Sequence, residues 1–410
     1  MKELIKSKAK GLEESLVEFF RKIENCNFDI TNFRKFSNLI SEEMKRLDFD
    51  KVATDKVGNL IGVIKGHESK KHLVIISHID IPSTDTFSSQ IRKTEINVKS
   101  EIVKFKAGII SSIYGAALMK RALLPLTGDL IVCCVPRTEC CDYGIKYLFE
   151  DYLKPKLKKI YGVILSEPTG FNIYLGHKGR MEYEIIVKGK LNRHFIENRG
   201  MNMLGTMFPL INELEKISKQ LPCDSNLGYS DLRIKDVRYS GYHPEKEFSE
   251  FRVVVDRVFI PEEDLNGILN KAKTIAKAIY KGKPDLTVNA VLARERVRTH
   301  SGVEIVHEKK FKPWKMESHH PFALNSLRSL TENGFKSSFG YWKKITTEGS
   351  YTYAQLHIPT IGFGAGSEDI IESGAKSLSL KKLKKAVYGL GLIIYRNIGM
   401  PTFGWSSDEI

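Results

Sequence analysis

Three short, unbroken apolar runs, each stopping at a cluster of polar residues, limit this chain to few folds. Leu73-Val74-Ile75-Ile76 ends at Ser77-His78-Ile79-Asp80-Ile81-Pro82. Asp129 to Val135 ends at Pro136-Arg137-Thr138-Glu139-Cys140-Cys141-Asp142, and Ile160 to Leu165 ends at Ser166-Glu167-Pro168-Thr169. Runs this short and this rich in β-branched residues read as strands buried on both faces. Helical patterns separate them: a glycine-punctuated, small-residue segment from Ala107 to Leu123, and another from about Ile145. Buried strands alternating with helices predict a doubly wound α/β sheet whose polar strand ends collect along one edge, where ligands bind in open α/β sheets.

Before these runs, residues 2–23 and 30–47 carry apolar positions at helical spacing (Leu12, Leu16, Phe19, then Phe33, Phe36, Ile40, Met44), so the chain starts with two amphipathic helices. Asp55-Lys56-Val57-Gly58-Asn59 is a turn leading into a strand to Ile64. Near Gly179 the character changes. Met181 to Val187 alternates, a helix spans roughly 201–221, strands follow at 231–239 and 251–259, a helix starts at Pro261-Glu262-Glu263-Asp264, and a strand covers 285–293. That order is a βαββαβ, ferredoxin-like α+β unit. After Thr299 the α/β pattern resumes with a helix near 321–333, a strand at 357–363, the loop Gly362-Phe363-Gly364-Ala365-Gly366 and a last helix at about 379–397. The expected organisation is an α/β domain in two segments, 1–179 and 299–410, interrupted by an inserted domain at 180–298.

With 410 residues and 42% apolar content the chain can bury two cores. No apolar run approaches membrane-spanning length. Six cysteines, with adjacent pairs at Cys133-Cys134 and Cys140-Cys141, have neither disulfide-scaffold density nor paired zinc spacing, which favours a reducing cytoplasm. A net charge of +15 raises nucleic acid, anionic membrane or an acidic partner, but the lysines are dispersed and none of the denser groups interleaves aromatics as a base-stacking surface would. Nucleic-acid binding therefore rests on charge alone.

The strand end at His78 and Asp80 allows two readings: a metal-ligating histidine with the carboxylate that orients it, or a capped strand terminus with one satisfied histidine. Its neighbours favour the first. In order along the chain, Asp55-x-x-Gly-Asn, Ser77-His-Ile-Asp, Glu167-Pro-Thr, Gly176-His-Lys-Gly-Arg and Ile358-Pro-Thr-Ile-Gly-Phe-Gly-Ala-Gly resemble the co-catalytic zinc hydrolases that include aminoacylase, acetylornithine deacetylase, carboxypeptidase G and cytosolic dipeptidases, nearest the selenium-metabolism hydrolase branch. The resemblance runs from about Leu12 to Ile394. It implies a catalytic α/β domain with an inserted lid that commonly dimerises, and amide-bond hydrolysis of N-acyl amino acids or small peptides.

That chemistry needs two divalent metals about 3.5–4 Å apart, a bridging carboxylate and a carboxylate general base. By the resemblance, His78 is a metal ligand, Asp80 its orienting carboxylate, and Glu139 and Glu167 acidic ligands. Ser112 stands where the bridging aspartate belongs, and Thr138 replaces the general base. The lid position that holds the substrate carbonyl falls at Arg193, with His194 one place later. Glu372 aligns with the last histidine ligand and Lys376 with its partner glutamate. Glu348 and Gly364 lie where residues face substrate; Glu348 either contacts ligand or caps a turn. Serine cannot neutralise two neighbouring dications, and threonine has no pKa near neutrality. The expectation is an inactive or altered member. Either one divalent metal (Mn, Mg or Ca, with zinc allowed) sits among His78, Glu139, Glu167 and Glu372, or Lys376 or Arg193 supplies the charge instead. The expected partners are a small amide or peptide ligand or a protein, with a second copy of the chain docked through the lid. A binding module on the same scaffold is the competing class.

Overall fold

The computed structural model describes residues 2–25, 33–68, 70–80, 95–137, 143–190, 203–240, 248–299, 302–368 and 380–400. They fall into two compact units: Met1–His177 with Arg296–Ile305 and Trp314–Ile410, and Lys178–Glu295 with Val306–Pro313.

The first unit is built on a mixed sheet ordered Lys51–Thr54, Leu60–Ile64, Leu130–Arg137, His72–Asp80, Ile160–Leu165, Thr360–Gly362, Ile173–His177 and Trp314–Lys315, with Phe339–Trp342 also on Ile173–His177. His72–Asp80 is central and runs parallel to both neighbours. Leu73, Val74, Ile75 and Ile76 are all 0% exposed, so both faces of this strand are covered, as an unbroken apolar run requires. The helix Glu95–Arg121 packs on it and against the final helix Leu380–Ile398. The N-terminal apolar pattern gives three helices rather than two: Lys2–Gly11, Glu13–Asn25 and Phe33–Arg46. Gly11 is a weak helix former, and at Leu12 the ladder loosens to two long bonds, 3.2 Å to Lys8 O and 3.3 Å to Ala9 O. The expected strand at 357–363 is confined to Thr360–Gly362. The short strands Trp314–Lys315 and Phe339–Trp342 carry no alternation long enough to read from sequence.

The second unit is a fully antiparallel sheet ordered Asp231–Ser240, Phe248–Phe259, Gly179–Lys190, Leu286–Leu292. Its helices are Met203–Ser218 and Leu265–Ile279. Met181, Tyr183, Ile185 and Val187 alternate into one apolar core with Phe251, Val253 and Val255. Glu182 and Glu184 turn to the other side of their strand, where Glu182 pairs with Lys235 at 2.5 Å and Lys309 at 3.2 Å. Asp264 caps the second helix by accepting the Gly267 N–H at 2.8 Å. No helix among the described residues is long and apolar enough to cross a membrane.

Candidate active site

Strand register sets the site. His78 lies beside Val135, and Asp80 beside Arg137, in the parallel pair with Leu130–Arg137. On the other side Ile76 is level with Leu165, so Glu167, two residues on, comes level with His78. Two glycines let backbones close around this strand end. A Cβ on Gly108 would stand 2.4 Å from Ser166 O, and one on Gly364 would stand 2.4 Å from Glu167 O. Gly364 also donates its N–H to Thr169 Oγ1 at 3.1 Å and accepts from Phe171 N at 3.2 Å. Glu348 arrives from the loop ahead of the short helix Gly349–Thr352. Buried His177 holds that loop, its Nε2 accepting the Thr347 N–H at 2.9 Å.

These elements bring His78, Glu167 and Glu348 together. All three are buried, and one ligand atom from each lies within 4.8 Å of the other two. His78 Nδ1 is hydrogen-bonded to Glu167 Oε1. Its Nε2 meets Arg137 Nη2 at 3.1 Å. Guanidinium nitrogens only donate, so Nε2 is the acceptor, the ring is neutral, and its single proton sits on Nδ1 facing Glu167. Arg137 Nη1 donates to Thr346 O at 3.1 Å and lies 3.3 Å from Glu348 Oε1. Burial pushes the Glu348 carboxyl above its ordinary range; Arg137 pulls the other way, and Glu167 adds to the rise. Glu348 Oε2 is buried and has no hydrogen-bond partner among the described residues.

An orphaned carboxylate oxygen beside an imidazole and a second carboxylate is a donor set that fits one divalent cation. It fits when Arg137 yields, because the guanidinium takes the histidine lone pair a metal would use. Ser112 is 0% exposed and its hydroxyl donates back to Gly108 O at 2.8 Å, so this side chain offers no anion to a cation.

Of the residues singled out in the sequence, the structure brings together His78, Glu167 and Glu348. Asp80 ends its strand, and its side chain is outside what is described. Thr138, Glu139, Arg193, His194, Glu372 and Lys376 lie outside the described residues. Arg137 was missed. Its signal was available: it stands in the polar run closing the Asp129–Val135 strand, one place before Thr138. Glu348, for which the sequence leaves open a ligand contact or a turn cap, is 0% exposed and lies 3.3 Å from Arg137. His320 is a helix cap, its Nδ1 accepting from Phe322 N at 3.1 Å. Cys133 and Cys134 are buried thiols, and burial pushes Cys134 up to about 12.

Comparison with known proteins gives consistent matches. The profile described as Peptidase family M20/M25/M40 matches residues 103–396. The protein YgeY of Escherichia coli K12 is 27% identical over 380 residues, covering 89% of this chain and 90% of that one. Two solved structures share the fold. The di-peptidase Dug1p of Saccharomyces cerevisiae has a TM-score of 0.68 at 10% identity, over 97% of this chain and 98% of that one. The YXEP protein of Bacillus subtilis, described as a dinuclear metal binding peptidase, has a TM-score of 0.64 at 13% identity, over 94% and 98%. With the profile matched over residues 103–396, more than half of its length, the chain belongs to peptidase family M20/M25/M40.

Proposed function

We propose that this chain is a family member whose two-metal amide-hydrolysis centre has become a pocket for one cation, with Arg137 as the resident cation, and that it binds a small amide, amino-acid derivative or peptide without turning it over efficiently. One observation carries the reading: the Arg137 guanidinium lies against both His78 Nε2 and Glu348 Oε1. Ser112, hydrogen-bonded to its own helix, supports the same conclusion. Dug1p and YXEP are peptidases by description, and they suggest the ligand class, a peptide or amide. In the ligand-binding role, Arg137 would present positive charge to a ligand carboxylate, Glu167 would keep the His78 proton on Nδ1, and Thr138 would leave the base position without a proton acceptor. The inserted unit would pair two copies of the chain.

A second reading, a single-metal hydrolase, is favoured by the unpartnered Glu348 Oε2. His78, Glu167 and Glu348 would then hold the ion, with Glu139 and Glu372 as further donors. Such an ion would supply Lewis-acid polarisation of a carbonyl and a water of lowered pKa. An amidase assay on N-acyl amino acids and dipeptides with added zinc, cobalt or manganese, run beside metal analysis of protein purified without chelator, separates the two. Negligible turnover and no stoichiometric metal are expected. Robust turnover abolished by His78→Ala would overturn the first reading.

A further inference from the structure

The inserted unit contains a cavity of about 140 Å³. Leu214 from the helix Met203–Ser218, Ile268 and Ala272 from Leu265–Ile279, and Leu232 from the sheet form its apolar wall. Five polar residues line it as well: Tyr183, Gln220, Arg257, Glu263 and Lys271. Tyr183 is 2% exposed, yet none of the hydrogen bonds among the described residues involves its hydroxyl. The hydroxyl lines the cavity and can donate to a molecule that enters it. Burial holds its pKa up to about 12, and the hydroxyl is therefore a donor across the physiological range.

Arg257 is 3% exposed. Its Nη1 donates to Asp231 O at 3.0 Å and to Val258 O, and its Nη2 to Glu263. Five donors with three used leave Nε–H and one Nη2–H uncommitted among the described residues. Glu263 is itself shared, accepting the Ser230 hydroxyl at 2.5 Å and the Ile260 N–H at 3.1 Å. Lys271 stands exposed at the rim. Two cations, Arg257 and Lys271, line the chamber with one carboxylate, Glu263, while the Asp231 carboxylate acts on Arg257 from outside the lining.

We propose that this cavity binds a small apolar monocarboxylate, its hydrocarbon body against the aliphatic wall and its carboxylate at Tyr183, Arg257 and Lys271. A cavity of roughly 150 Å³ admits benzene, so the occupant has about six to nine heavy atoms, as benzoate and hexanoate do. The site is wholly within the inserted unit and does not depend on the function proposed above.

Isothermal titration of the full chain with benzoate and hexanoate, against benzyl alcohol and 1-hexanol, tests it. Saturable carboxylate binding with a Kd on the order of 1 mM is expected, with the alcohols about tenfold weaker. Tyr183→Phe should weaken the carboxylates by about fivefold. Ala272→Phe fills the chamber and should abolish binding. Lys271→Glu changes only an exposed rim charge and should weaken binding about threefold or more with folding intact, which keeps the test decisive if the filled variant does not fold. Absence of saturable binding, equal binding of acids and alcohols, or unchanged affinity in Lys271→Glu and Tyr183→Phe would overturn the proposal.

Discussion

If Arg137 is the resident cation of the site, replacing it with methionine removes one partner of a buried pair and leaves the other charged. Glu348 is 0% exposed and Arg137 only 12%, at 3.3 Å. At an effective dielectric of about 20 their attraction is about 5 kcal/mol before desolvation is counted. Breaking such a pair typically costs about 3–5 kcal/mol, since the remaining carboxylate stays buried without compensation. Arg137→Met should therefore lower the free energy of unfolding by about 3 kcal/mol in chelator, read by urea denaturation. The same substitution frees the His78 Nε2 lone pair. Zinc or manganese at a hundredfold its Kd should then return about 2.7 kcal/mol to the variant and little to the parent chain. The reasoning fails if the variant is as stable as the parent in chelator, or if the metal stabilises both alike.

Other positions give independent checks. Gly364→Ala would drive a Cβ to 2.4 Å from the Glu167 backbone carbonyl, so a loss of about 1–3 kcal/mol is expected in urea unfolding, and a neutral result would count against the close approach. Glu43, 5% exposed, accepts from Arg46 Nε at 2.9 Å and from the Tyr114 hydroxyl; Glu43→Gln sets an amide against those donors and should cost about 1–3 kcal/mol, with a change under about 0.5 kcal/mol refuting it. His72 is held below its ordinary pKa chiefly by burial, against the pull of Asp129, and its Nδ1 accepts the Asp129 N–H at 3.0 Å, which a protonated ring could not do. The folded state favours neutral His72, so its contribution is complete above an unfolded pKa of about 6.5 and is lost as pH falls from there through the lower folded value. Melting temperature should drop from pH 7.5 to 5, and His72→Gln should flatten that drop; an unchanged slope would sink the idea.

The sheet was legible because its strands are unbroken apolar runs, and Leu73–Ile76 could be nothing else once both faces had to be covered. The βαββαβ order of the inserted unit followed from the alternation at Met181–Val187 and the cap at Asp264. Strands of two to four residues, such as Trp314–Lys315, were not legible, since they exist only by pairing with Ile173–His177. Within the site, His78 and Glu167 could be read because each ends a recognisable strand. Glu348 could be placed only loosely, because 0% exposure in a loop is a tertiary property with no local pattern. Arg137 escaped because an arginine after a buried strand looks like a solvated edge until the register sets it beside Asp80.

Strand order also says when this site can form during synthesis. Thr360–Gly362 lies between Ile160–Leu165 and Ile173–His177, pairing with the first in parallel and meeting the second at Gly362 and Tyr174. A nascent chain that has exposed everything up to residue 350 still has a gap in the middle of its sheet, with the backbone edge next to Glu167 unpaired. Such an edge is an aggregation hazard, and long-range pairing of this kind folds slowly. The half of the sheet that carries Glu167 therefore waits for Thr360–Gly362, and a ribosome that stalls before Thr360 releases a product with an open seam where the pocket should be.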